Sequence, residues 1–499
     1  MQRAGGLHRA HTRGPGRILP GPPETPRLRR LPLMSLAMTT SATSRRRLHR
    51  ICAIAVLAAA LGGCATTAPQ QAGEPPASVR EPQQIDEARA LVRAGEQLSG
   101  AARNANDAEV ERLLSQLDNA ALARAAAAMP EGDPLYNYAG RALLRRGLAL
   151  PRPFDRAAWK FDAGNRPAAD RDGYRPPVRL GVLLPLTGEL AVAAAPVRDG
   201  LLAAYYSEQR RRPEITFYDT AGGAMGAYDR AVAAGSDFVI GPLGREEVSA
   251  VFQRGNLPVP VLALNRGTVN PPAGNASFSL SPEDEGLAAA EYLLARGARR
   301  VLAIGGADDT QRRAIAALRE RLTERGGTVT DVASGSTEDF APFAQKEGGI
   351  DAVFLATRGS TARTLMPKLA LAGLGDRPRV ATSQLQSGTG KAEQDRVLDG
   401  IAFPTEPWTT RGVRGLPSAG SVGQRLPSAR GPAARLFAFG VDAWLLTAYL
   451  EHLALASDGR VEGATGVLRV DGFGNVQRTP AWSTFSGGNP VPLSDAGRG

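Results

Sequence analysis

Histidine is almost missing from this chain. It has four in 499 residues, and three of them, His8, His11 and His49, fall within the first fifty. Only His452 is left for a folded body. A Ser-His-Asp triad or a multi-histidine metal site needs more than that. His452 lies in an apolar helical run, WLLTAYLEHLALA (444–456), where a place on the helix surface suits it better than catalysis. Enzymes can work without histidine, but the expectation is a non-enzyme with no catalytic residue, metal or cofactor. Cysteine is scarcer still: Cys52 and Cys64 are the only two. Basic charge is present but misplaced for nucleic acid. The formal charge is +11, yet the first 63 residues hold 11 arginines against one acid, Glu24, and the remainder is close to neutral. A nucleic-acid partner needs a basic face on the folded domain, and none is visible. At 499 residues, two or three domains are expected.

The early arginines belong to a targeting segment. Arg45, Arg46, Arg47 and Arg50 precede an apolar run at 51–61, too short to span a bilayer in a mature protein. The run ends in Leu61-Gly62-Gly63-Cys64, which resembles a bacterial lipobox. Small residues before the cysteine admit the signal peptidase, and the thiol takes the diacylglyceryl group. Cys52 then leaves with the leader and Cys64 becomes the acylated N-terminus, so no disulfide is possible. Each buried CH₂ of the acyl chains contributes about 0.8 kcal/mol, which makes a multi-chain anchor effectively permanent. Residue 65 is Ala, not the Asp that retains many such lipoproteins in the inner membrane. The expected location is the outer membrane, facing the periplasm. Residues 1–33 read as upstream extension, with Met34 or Met38 as the start of an ordinary signal peptide.

Beyond the leader (1–63), the pattern divides the chain further. Residues 64–82 are a Pro-, Ala- and Gln-rich lipidated tether. Residues 83–150 carry leucines at spacings of three, four and seven, which predicts three or four short helices, with Asn106 and Asp107 as an N-cap and a break at Pro130, Gly132 and Pro134. Residues 151–177 read as a linker. From 178 to 492, strands alternate with helices of 10–20 residues, the signature of βαβ units and parallel sheets covered on both faces. VRLGVLLP, EITFYD, DFVIGP and VPVLAL are four strands of a first lobe. After a break at NRGTVNPPAGN, Ser281 caps a helix, and RRVLAIGG, TVTDVA, DAVFLAT and RVATSQ build a second lobe. A long apolar helix (434–456) and a hairpin turning at GFGN close the chain. The stretch 409–432 has four arginines, no acid and a repeated LPSA, and is expected to be a mobile loop.

Two α/β lobes with the chain crossing between them and back are the architecture of type I periplasmic binding proteins. Several stretches narrow this: LGVLLPLTGELA, FVIGPLGREEV, VLALN, FSLSPEDEGLAAAEYL, DAVFLAT, FGVDAWLL and TGVLRVDGFGNVQRTPAWSTF. They resemble, in order from about 178 to 492, the LppC/LpoA family of outer-membrane lipoproteins, which are penicillin-binding-protein activators. The resemblance implies that the chain reaches through the peptidoglycan to a bifunctional class A penicillin-binding protein and stimulates its transpeptidase activity. Large members carry a long N-terminal domain of tetratricopeptide-like repeats; only about 70–110 residues are available here.

The other reading is a solute-binding lipoprotein of an ABC importer; a third is a structural protein that binds peptidoglycan. Branched-chain amino-acid receptors of this fold meet a ligand carboxylate with hydroxyls and amides where a helix follows the third strand. Here that stretch is Gly241-Pro242-Leu243-Gly244-Arg245-Glu246-Glu247. It has no hydroxyl pair, Pro242 lacks an N–H, and Glu246 and Glu247 would repel a carboxylate while suiting the helix dipole. Residues that could line a cleft are Thr187, Gly188, Gly241, Leu243, Asn265, Ser281 and Glu283, with turn, hinge and cap roles as the competing explanation. Glu283 and Asp284 point apart on a helix and make a poor acid/base pair. Gly305-Gly306 after a strand is only half of a nucleotide fingerprint.

Overall fold

The computed structural model describes residues 82–493, except 99, 156–158, 160, 162–165 and 388–389. The leader, Cys64 and the tether up to residue 81 lie outside the described residues.

Four helices come first: α1 (Gln83–Gly95), α2 (Gly100–Ser115), α3 (Asn119–Ala128) and α4 (Tyr136–Arg145). Their spaced apolar residues converge, with Ile85, Leu114, Leu122, Tyr136 and Leu143 buried in one cluster. Asp118 caps α3 by accepting from the Ala121 N–H. Pro130, Gly132 and Pro134 fall in the turn before α4. The cap expected at Asn106 and Asp107 is not formed, because both residues lie inside α2. Asn106 donates to the Leu91 carbonyl at 3.1 Å, and Asp107 accepts from the Tyr138 hydroxyl at 2.7 Å. These tertiary partners displace the local backbone bonds that favour a cap.

The first lobe runs β1 (Arg179–Leu184), α5 (Ala191–Ser207), β2 (Glu214–Asp219), α6 (Ala224–Ala233), β3 (Phe238–Ile240), α7 (Arg245–Gln253), β4 (Val261–Ala263) and β5 (Ala276–Ser277). Its five strands pair in parallel in the order β2-β1-β3-β4-β5. Helices cover both faces, so β1, β3 and β4 are apolar along nearly their whole length. The fifth strand is two residues long and carries no periodic signal, so the sequence pattern counts four.

The second lobe follows with α8 (Pro282–Leu294), β6 (Arg300–Gly305), α9 (Asp309–Glu324), β7 (Thr328–Ala333), α10 (Ala341–Ala344), β8 (Ala352–Ala356), α11 (Gly359–Leu371), β9 (Arg379–Ala381), α12 (Ala392–Asp395) and β10 (Ala402–Thr405). The chain then returns to the first lobe with α13 (Pro407–Thr410), α14 (Ala419–Arg425), α15 (Ala433–Leu455) and the small sheet of β11 (Val461–Glu462), β12 (Val467–Val470) and β13 (Val476–Thr479). It crosses once more to add β14 (Ala481–Ser486) and β15 (Asn489–Pro492). The second sheet has the order β15-β14-β10-β9-β8-β6-β7. β14 and β15 pair antiparallel, so this sheet is mixed at one edge rather than wholly parallel.

The helix α15 is long and apolar enough to cross a membrane, but it is packed in the first-lobe core. Glycines let it approach α5 closely. A Cβ at Gly440 would lie 2.0 Å from the Val197 carbonyl oxygen, and one at Gly200 would lie 2.0 Å from that of Phe437.

Two expected loops are built differently. The stretch 409–432 holds α14 and the end of α13, and Val413, Leu416, Val422 and Leu426 pack against the first-lobe core. The Trp408 indole donates to the Pro417 carbonyl at 2.8 Å. The arginines and the repeated LPSA read as a mobile loop, while these spaced apolar residues supply the anchor. Likewise, the described part of 151–177 is strapped to the first lobe rather than free. Arg166 is buried and donates to the Asp237 carboxylate at 2.9 Å, Tyr174 donates to the Arg211 carbonyl at 2.7 Å, and Arg175 pairs with Glu451 on α15 at 2.8 Å. The helical region is docked too. Phe473, in the turn between β12 and β13, lies edge-on to Tyr138 with centroids 4.7 Å apart and beneath the Arg141 guanidinium at 4.0 Å.

Candidate functional site

Ligands of α/β lobes sit at the carboxyl ends of the strands, so the cleft between the lobes is the place to look. The seven candidate residues hold turns, caps and internal bonds, and none of them lines the cavity described below. The Thr187 hydroxyl donates to Asp219 at the end of β2, 2.6 Å away, and does not cap α5. That bond and the Ala221 and Leu186 N–H groups pull the half-buried Asp219 carboxyl down to about 2. Gly188 turns the chain at φ +78°. Gly241 has φ +95°, and a Cβ there would lie 2.0 Å from the Leu183 carbonyl oxygen, so its role is backbone approach. Asn265 donates to the Leu243 carbonyl at 2.9 Å and accepts from the Arg266 N–H. Ser281 caps α8 through the Asp284 N–H. Glu283 takes a bidentate pair from Arg313 on α9, at 2.6 and 2.9 Å.

The N-terminus of α7, where a receptor would meet a ligand's carboxylate, holds one of the chain's own. Glu247 folds back and accepts from the Gly244 N–H at 3.1 Å. The Gly305-Gly306 turn is closed in the same manner, since Gln311 accepts from the Gly306 and Ala307 N–H groups at 3.1 and 3.0 Å. An arriving anion would have to displace both side chains.

The strongest electrostatic feature of the cleft escapes the sequence patterns. Arg435, near the start of α15, reaches from the first lobe into the second. It pairs with Glu285 on α8, with Glu406 on the second crossing at 3.1 Å, and with the Ser383 hydroxyl just after β9. Ser383 also donates its N–H and its hydroxyl to Glu285, each at 2.8 Å. Burial alone would raise the Glu285 carboxyl, but the Arg435 charge and the Ser383 N–H outweigh it and hold it below the ordinary carboxylate range. Arg478 stands nearby, and its guanidinium is lowered by burial and by the charge of Arg435. What remains between Glu285, Gln311, Ser383 and Arg435 is a cavity of about 40 Å³. That is room for a few waters, against roughly 300–1,000 Å³ for a small-molecule pocket. The only hint of this cluster in sequence is a Glu and an Arg placed at helix starts, since residues 285 and 435 are distant along the chain. Among the described residues, no three His, Cys, Asp or Glu side chains converge to hold a metal ion.

Comparison with known proteins places this geometry. Residues 174–339 and 337–488 match the family described as LppC putative lipoprotein. A curated protein named penicillin-binding protein activator LpoA, from Photobacterium profundum, is 28% identical over 354 residues, covering 63% of this chain and 57% of the relative. One of the same name from Vibrio cholerae is 27% identical over 345 residues, 62% of this chain and 57% of the relative. The chain thus spans little more than half the length of these curated relatives. Among solved structures, the C-domain of Haemophilus influenzae LpoA, described as a regulator of PBP1A, shares the fold at TM-score 0.56 and 22% identity over 63% of this chain and 99% of that one. A Chromobacterium violaceum structure described as a putative branched-chain amino acid ABC transporter is 30% identical at TM-score 0.50, covering 62% of this chain and all of that one. With matches in sequence and fold over more than half its length, the chain belongs to the LppC family of lipoproteins.

Proposed function

We propose that this protein is a non-enzymatic activator of cell-wall synthesis, lipid-anchored at Cys64 in the outer membrane and facing the periplasm. In this reading it binds a bifunctional class A penicillin-binding protein and raises its transpeptidase activity. The observation that carries the proposal is that the chain engages its own cleft groups: Glu247 takes the Gly244 N–H at the start of α7, and Arg435 is paired with Glu285 beside a cavity of about 40 Å³. Family membership and curated relatives named as activators support the same reading. Activation requires higher affinity for the transpeptidation-competent state of the synthase than for its other states, because affinity alone shifts no equilibrium.

The test combines lipid-free protein (residues 65–499), the host's own class A penicillin-binding protein and lipid II. The fraction of cross-linked peptides is expected to rise when the lipoprotein is added. No rise, together with no retention in a pull-down, would sink the proposal. The 30% identity to a structure described as a putative branched-chain amino acid ABC transporter favours a second reading, a solute receptor. It requires a small ligand that raises the melting temperature, and a thermal-shift screen of amino acids decides it. Direct contact with peptidoglycan is a separate part of the proposal and is read by co-sedimentation with purified sacculi.

A further inference from the structure

The insertion between the second crossing and α15 carries an unneutralised charge. Arg411, Arg414, Arg425 and Arg430 are all exposed, and none has a side-chain partner among the described residues. No acid occurs from residue 407 to residue 441. The acid that touches this segment, Asp199 on α5, is already engaged: it accepts from the Ser428 hydroxyl at 2.6 Å and pairs with Arg198 at 3.0 Å. Elsewhere the body is close to neutral, and many of its arginines are paired, as Arg175, Arg254, Arg266 and Arg313 are. The platform is also fixed. Its apolar residues face the first-lobe core, and the Trp408 and Ser428 hydrogen bonds pin each half.

We infer that this arginine platform is a docking surface for a carboxylate-rich segment of a protein partner. Two physical points select that occupant. Guanidinium groups pair bidentately with carboxylates, and unpaired exposed charge steers association with a surface of opposite sign. No large apolar side chain of the insertion is exposed, so it lacks what an interfacial segment inserts into a bilayer.

The experiment uses lipid-free protein (65–499) and a fluorescent poly-glutamate peptide, with purified sacculi and phosphatidylglycerol vesicles as parallel probes. The wild type is expected to bind poly-glutamate at low salt and to lose it near 1 M salt, where the Debye length is about 3 Å. The combined variant Arg411→Gln, Arg414→Gln, Arg425→Gln and Arg430→Gln should bind at least about tenfold more weakly with an unchanged melting temperature, since these side chains make no internal bond. Equal binding by wild type and variant, or none by the wild type, overturns the inference. So does an arginine-dependent attachment to sacculi or vesicles that poly-glutamate does not compete.

Discussion

Replacing Arg435 with alanine isolates the link between the lobes. It removes the cation from two carboxylates, Glu285 and Glu406, whose side chains are 5% and 3% exposed. Breaking a buried pair on one side costs about 3–5 kcal/mol, because the remaining charge is uncompensated. Ser383 still donates twice to Glu285, and water can enter the enlarged cavity, which places the expectation at the lower end. Urea unfolding at pH 7.5 measures the cost. The pH dependence gives a sign. In the wild type the lowered Glu285 carboxyl contributes stability above its unfolded value, and that contribution is lost as pH falls through the folded value. Without Arg435, burial dominates and raises the carboxyl, so falling pH relieves the variant by protonation. Protonation in the variant narrows the gap as pH falls toward the ordinary carboxylate range, and the wild type's own loss narrows it further only below that range. Adding Glu285→Gln to the variant should recover part of the loss, and the double-mutant cycle should show coupling. Spin labels at the exposed positions Val192 on α5 and Leu371 on α11 supply a second readout. The interlobe distance should be narrow in the wild type and broad in the variant. A cost below about 1 kcal/mol, typical of solvated surface pairs, together with unchanged distances would refute the idea that Arg435 holds the lobes.

Three other outcomes follow from the same structure. Phe473→Ala removes the ring between Tyr138 and Arg141; limited proteolysis should then cut around residues 146–155 faster while the two lobes stay resistant. Asp442, buried in α15, accepts from the Ala464 N–H and from the Thr465 N–H and hydroxyl, yet burial pushes its carboxyl up to about 6. Its charged form is therefore disfavoured in the fold, and this residue's contribution to stability should fall as pH rises from about 4 to 6; Asp442→Asn should flatten that part of the pH–stability curve. Cys64→Ser should block acylation and move the protein from the membrane to the soluble fraction, read by fractionation and immunoblot; retention in the membrane would remove the lipobox reading.

The candidate site shows where local pattern stops carrying information. Ser281 was legible as a cap because a cap is a contact over three residues, and the structure has it. Thr187, a cleft candidate with a cap as its competing explanation, does neither locally: its hydroxyl goes to Asp219, 32 residues away, and no local rule sees that bond. Asn106 and Asp107 were assigned as a cap on local chemistry, and partners at Leu91 and Tyr138 overrode it. Four arginines, no acid and a repeated LPSA make 409–432 read as a mobile loop, although the apolar residues between them anchor it.

The sequence by itself determined the composition-level exclusions, the lipobox pattern, the alternation of strands and helices and the two-lobe class. Each rests on residue type and short-range periodicity, which survive without coordinates. It also showed that the loop opening α7 lacks a receptor's hydroxyls. Tertiary structure alone decided what fills the cleft. Glu285, Ser383, Glu406 and Arg435 lie on four separate stretches, and no spacing rule joins them. The edge strands β5 and β15 were also settled there, since strands of two to four residues become strands by pairing with a neighbour and not by their own pattern. Long-range ion pairs and sheet edges are properties of the packed chain, and that is why the Arg435 cluster could be recognised only once the lobes were assembled.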